Sequence, residues 1–173
     1  AGATYPPGAG KRLFNKPALL SGEIVFIVEG QIDAMSLCQA GAFAVASNEP
    51  KQILEAIREN ECNVPVFVII PDSDKTGAVK AQKMGSALSS AGYNTVAASL
   101  PKDYKDVNDF LSQAGKNTFS EWVDRTKIAA AAHLKKLDEA NRESYTVISA
   151  GNRLDGFVNG IAQSVNTVAV PSG

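Results

Sequence analysis

Histidine and cysteine are scarce in this chain: its 173 residues include one histidine, His133, and two cysteines, Cys38 and Cys62. The cysteines stand in unrelated contexts with no CxxC spacing. That leaves no ligand set for a structural zinc and reads as two reduced thiols. Long apolar runs are also missing. No stretch reaches the ~20 consecutive apolar residues of a membrane span, and the N-terminus lacks a basic-then-apolar leader. A cytoplasmic protein with no membrane partner is expected. Neither sign of charge dominates, since 17 basic and 18 acidic side chains leave −1. Domains that hold nucleic acid by bulk attraction are usually clearly basic. Any such contact must therefore be local, or come from a neighbouring domain.

What remains is an ordinary soluble composition, 45% hydrophobic and 20% charged, enough for one domain or one domain with an appendage. The opening AGATYPPGAGKRLFNKPALLSG has Gly and Pro but little periodicity, and reads as an extended or loosely packed lead-in. Four apolar runs follow: EIVFIVEG, AFAVAS, VPVFVII and the weaker NTVAAS. Helical segments alternate with them. DAMSLCQAG closes on Gly41, EPKQILEAIREN starts near Pro50, TGAVKAQKMGSALSSAG ends in Gly92, and VNDFLSQAG completes the series. Strands that are apolar at nearly every position are covered on both faces. The expected fold class is therefore α/β, with an about four-stranded, mainly parallel sheet flanked by helices. A long helical stretch spans 118–141 and includes His133, which reads as a plain helix residue. The tail from Glu143 is rich in Ser, Asn and Gly. Its Leu154, Phe157, Val158, Ile161 and Val165 form an apolar stripe that wants a partner.

The acids carry the chemistry. FVIIPDSDKTG runs from a buried strand straight into Asp72 and Asp74, which repel each other. Ligands of an open parallel sheet bind at the carboxyl ends of its strands. Glu29 ends the first strand, Asp72 and Asp74 the third, and Asp103, Asp106 and Asp109 follow the fourth. Asp33, in the first turn of the next helix, can face the same rim. So many carboxylates raise one another's pKa unless something positive lies among them. Hard divalent cations prefer such oxygen ligands, and Mg²⁺ leaves coordination positions to water and phosphate. A DxD pair alone more often marks a solvated turn, and Asp74 suits a helix cap. Joined to Glu29-Gly30 and a third acidic cluster, it points to a Mg²⁺ clamp, with Mn²⁺ able to substitute. Lys75, Lys80 and Lys83 are the candidate nucleic-acid or nucleotide contacts, although Lys80 and Lys83 also suit a solvated helix face. PPGAGKR fails as a P-loop, because Tyr5 and Arg12 occupy places that need Gly and Ser or Thr.

In order and spacing, VFIVEGQIDAMSLCQAG, PDSDKTG and LPKDYKDVNDFL resemble the Toprim domain. That domain occurs in DnaG-type primases, phage-type primase-helicases, topoisomerases, OLD-family nucleases and RecR. The resemblance covers roughly residues 13 to 115 and is nearest to the primase side. It implies a Toprim (Rossmann-like) fold with a C-terminal helical extension. It further implies metal-dependent nucleotidyl transfer, the synthesis of RNA primers on single-stranded DNA in a bacterial or phage setting. Glu29 matches the family's acid/base or metal-binding glutamate, and Asp72 and Asp74 its metal-binding aspartates. Asp33 matches a further acid near the metals, and Asp106 the first acid of the family's third motif. Many primases have a second acid where this chain has Asn108, with Asp109 next to it. The expected organisation is a lead-in over 1–22, a catalytic domain over 23–116, a helical extension over 117–142 and a linker over 143–173. The linker would carry a candidate docking helix towards a helicase domain or partner, through which the protein would oligomerise. Phosphodiester cleavage and a non-catalytic binding scaffold are the alternative readings.

Overall fold

The computed structural model describes the backbone of residues 12–150 and 166–168, and the side chains of residues 12–140. The four expected strands are β1 (Val25–Val28), β2 (Phe43–Ala46), β3 (Phe67–Ile69) and β4 (Thr95–Ala98), all paired in parallel. Successive side chains point to opposite faces of the sheet. Val25, Ile27, Phe67 and Ile69 enter one core, while Phe26, Val28, Val66, Val68 and Ile70 enter the other. Neither face is polar, so helices must cover both.

One layer comprises α1 (Gln31–Gln39), α4 (Val107–Ala114) and α5 (Lys116–Ala150), through Ala34, Leu37, Val107, Phe110, Phe119 and Trp122. The other comprises α2 (Pro50–Glu59) and α3 (Lys75–Ser90), through Ile53, Ala56, Ile57, Met84 and Leu88. The spacing of Ile53, Ala56 and Ile57 places them on one face of α2, and Pro50 fixes its first turn. Gly41, just past the end of α1, has φ +73°, a left-handed value that glycine adopts at no steric cost.

Three differences from the sequence reading matter. The lead-in is packed where it is described. Phe14 exchanges two backbone hydrogen bonds with Ala46, at 3.0 and 3.3 Å. A 3₁₀ turn at Lys16–Leu20 buries Leu19 completely. The Asn15 amide donates to the Ala44 carbonyl at 2.8 Å, so the outer edge of β2 is largely closed to further pairing. Second, Asn166–Val168, within the segment expected as a linker, forms a short β5 parallel to β4 and extends the sheet to the order β2-β1-β3-β4-β5. The stripe at 154–165 lies outside the described residues. Third, the long helix starts at Lys116 and runs to Ala150, beyond the expected 118–141.

An aromatic group docks this helix. Phe110 of α4 meets Phe119 edge-on at 5.3 Å and Trp122 at 5.5 Å, and stacks on Tyr104 at 4.5 Å. Tyr104 belongs to the loop after β4, so α5 also braces the loop that delivers Asp106. Among the described residues no helix is long and apolar enough to cross a membrane.

Trp122 is 3% exposed, and truncating such a side chain removes about 3–5 kcal/mol. Trp122→Ala is expected to lower urea-unfolding stability by that order. A loss below about 1 kcal/mol would show that α5 is not part of the folding unit.

Candidate functional site

The strand order makes the site. From β1 the chain turns outward to β2, then crosses back to place β3 and β4 on the other side. The switch therefore falls between β1 and β3, and ligands of such sheets bind in the crevice beyond the strand ends at that point. Glu29 directly follows β1, and Asp72 lies three residues beyond β3. The two carboxylates thus flank the crevice, with α1 starting on one side and α3 on the other.

Three further acids are each held by a specific backbone contact. Asp33 is buried and accepts the Asn108 N–H at 2.9 Å, which ties α1 to the start of α4. The Ser36 hydroxyl donates to the Asn108 side-chain oxygen at 3.2 Å, so Asn108 is engaged in this lock. Asp74 caps α3 by accepting the Gly77 N–H, and Asp106 caps α4 by accepting the Asp109 N–H at 2.7 Å. Ser73, between the paired aspartates, donates its N–H to the Lys105 carbonyl at 2.8 Å and its hydroxyl to the Tyr104 carbonyl at 2.6 Å. The loop after β3 is thereby fastened to the loop after β4. Gly77 is required by proximity: a Cβ there would lie 2.5 Å from the Asp72 carbonyl oxygen and 2.9 Å from its nitrogen.

Burial and mutual repulsion set the electrostatics. Asp72 is pushed up to about 6, first by desolvation and then by the charges of Glu29, Asp33 and Asp106, against a smaller opposing pull from Lys80. Burial raises Asp33 as well, with Asp106 and Glu29 adding to it, while the Asn108 N–H opposes the shift. Lys80 forms an ion pair with Glu29 Oε2, which raises the lysine's pKa. The Glu29 side chain is 16% exposed, and its other oxygen, Oε1, is buried without a hydrogen-bond partner.

The sequence-predicted residues thus separate. Glu29, Asp72, Asp33 and Asp106 act on one another across the crevice, and Lys80 joins them. Asp109 does not. Its carboxylate accepts from the Lys105 N–H and the Gln113 amide at the surface, and these contacts hold its pKa low. Lys83 turns to Glu49 at 3.6 Å, towards the start of α2, and Lys75 is an exposed residue at the first position of α3. Sequence reasoning missed Asn48, whose buried side-chain oxygen lacks a partner beside Glu29 in the same small cavity. No periodicity marks a single amide in a loop.

Among the described residues no group of three His, Cys, Asp or Glu side chains is arranged to hold a metal ion by itself. The donor set suits Mg²⁺ in another way. Mg²⁺ is commonly bound by one or two carboxylates, with water and substrate phosphates filling its octahedron. Two carboxylates, Glu29 and Asp72, that repel each other and are only partly offset by Lys80 fit that demand.

An open parallel α/β domain with an acidic crevice at its switch point defines the class. Residues 26–111 match the family described as Toprim-like, and this stretch of the chain is a Toprim domain. The Aquifex aeolicus primase (zinc binding and RNA polymerase domains) is 21% identical, with a TM-score of 0.51, over 76% of this chain and 34% of the primase chain. A DNA primase domain from Pseudomonas aeruginosa is 21% identical over 56% of this chain and 31% of its own, with a TM-score of 0.46. A DnaG primase catalytic domain bound to ssDNA is 24% identical over 57% and 32%, with a TM-score of 0.45. The chain spans about a third of the length of each of these structures. The Aquifex superposition shows a shared fold. No curated protein matches the chain.

The raised Asp72 has a measurable consequence. Its folded state binds the proton more tightly than the unfolded chain, whose carboxyl is near 3.8. Stability is then favoured below about pH 4 and declines as pH rises through about 6. Asp72→Asn is expected to raise the Tm of metal-free protein at about pH 7.5 and to leave it nearly unchanged at about pH 4. Equal shifts at both pH values would contradict this reading.

Proposed function

We propose that this chain is the Toprim part of a primase-like nucleotidyltransferase that joins ribonucleotides on single-stranded DNA. The observation that carries the reading is the pairing of Glu29 and Asp72 across the switch point of a Toprim domain, with more carboxylate charge than the neighbouring Lys80 offsets. Glu29, Asp72 and Asp74 would hold Mg²⁺ or Mn²⁺. When bound, the cation would lower the pKa of the attacking 3′-hydroxyl and offset charge on the α-phosphate and the leaving pyrophosphate.

The chain's own residues would do the rest. Glu29 would accept the hydroxyl proton on Oε2, the oxygen that Lys80 occupies in the absence of substrate. Asp33 would steady the wall by fixing α1 to α4, and Asp106 would keep the crevice negative. Lys80 would pass from Glu29 to a substrate phosphate, a point-charge contact that lysine makes readily. Lys75, exposed at the start of α3, would meet the template or nucleotide backbone. The template would be presented by neighbouring parts of a longer protein, with a helicase domain or partner among them.

The test is primer synthesis on single-stranded DNA with labelled ribonucleotides and Mn²⁺. Asparagine caps helices as well as aspartate does, so Asp74→Asn should abolish the labelled products and leave Tm nearly unchanged. Products that survive in Asp74→Asn, or that form equally well in EDTA, would sink the proposal.

A further inference from the structure

Two buried acceptors without donors line one small cavity. They are Glu29 Oε1, at the end of β1, and Asn48 Oδ1, in the loop after β2. The cavity measures about 20 Å³ and is otherwise walled mainly by apolar groups, among them Ile27, Ile69 and Met84. Such a volume takes one water-sized species. Burying an amide oxygen without a hydrogen bond is costly, and two such oxygens in one cavity call for a common donor. A single water has two O–H groups, one for each acceptor. Lys80 lines the same cavity and retains N–H donors for the water's own oxygen.

The loop brings Asn48 there by construction. The Ser47 N–H continues the sheet by donating to the Val28 carbonyl at 3.1 Å, next to Glu29. The Ser47 hydroxyl is occupied by Glu49 and Gln52, which fixes the loop but contributes nothing to the cavity's two acceptors. Its neighbours Ser47 and Glu49 thus fix the loop, and Asn48 lines the cavity with an unpartnered acceptor.

We infer that Asn48 is a positioning residue for Glu29. It acts through one water held between Asn48 Oδ1 and Glu29 Oε1, and so sets the carboxylate's orientation in the cation-binding crevice. The part concerning the cation rests on the function proposed above; the link between Asn48 and Glu29 does not.

The experiment uses the full chain and Mn²⁺ titrations of wild type, Asn48→Ala, Glu29→Gln and the double variant. Loss of an outer partner of this kind weakens metal binding by about tenfold. Asn48→Ala should show a loss of that order, and the double variant should bind no more weakly than Glu29→Gln. Losses that multiply in the double variant, or an unchanged affinity in Asn48→Ala, would overturn the inference. If Glu29→Gln itself binds Mn²⁺ like wild type, the cation reading fails, and a metal-free measurement decides Asn48. The ¹³C resonance of the Glu29 carboxyl at fixed pH should move in Asn48→Ala and stay in place in Lys51→Ala, an exposed substitution on α2 outside the cavity's lining. A Glu29 resonance that ignores Asn48→Ala, or follows Lys51→Ala equally, overturns the inference.

Discussion

Repulsion between Glu29 and Asp72 across the β1–β3 switch point is the constraint around which the rest of the domain is arranged. Burial, and after it the charge of Glu29, disfavours ionisation of Asp72, whose pKa is pushed up to about 6. A protein keeps such an arrangement only if surrounding contacts hold it against relaxation. Here the restraint is distributed. The parallel register of β1 with β3 fixes the two strand ends relative to one another. The close approach of Gly77 to the Asp72 backbone leaves no room for a side chain, so α3 starts directly against the aspartate.

Several acids serve the scaffold and the crevice at once. Asp74 and Asp106 each use one oxygen in a helix N-cap, so both stabilise the start of a helix as well as lining the rim. Asp33 spends one oxygen on the Asn108 N–H, and Ser36 secures Asn108 from the other side. Ser73 links the loops after β3 and β4, while the aromatic group of Tyr104, Phe110, Phe119 and Trp122 braces the second loop from behind. The site is thus rigid in its backbone and under-neutralised in its charge. That combination suits a cation that arrives with its substrate better than a permanently caged one.

Much of this was legible in the sequence because it depends on local patterns. Apolar strands of four or five residues separated by helix-length segments define the doubly covered sheet, and acids at strand ends must fall on one rim whatever the strand order. The burial of Leu19 was not legible, since Gly and Pro dominate its surroundings and a 3₁₀ turn has no useful periodicity. Nor was β5, a three-residue strand in a Ser- and Asn-rich tail whose pairing is decided by the free edge of β4. Among the acids, spacing could not separate Asp106 from Asp109. The separation follows from capping: once Asp106 accepts the Asp109 N–H, the Asp109 side chain is carried round to Lys105 and Gln113. The engagement of Lys80 with Glu29 joins residues 51 positions apart, a pairing no local pattern encodes.

A divalent cation bound in the crevice between β1 and β3 must lie close to the ends of both strands. Paramagnetic broadening of backbone amide signals by substoichiometric Mn²⁺ locates it, because broadening reports distance from the ion without requiring catalysis. Signals from residues 29–33, 72–77 and 106–108 are expected to be lost selectively, with those of 52–58 and 127–131 remaining sharp. Broadening centred elsewhere, or none at any of these positions, would contradict binding in the crevice.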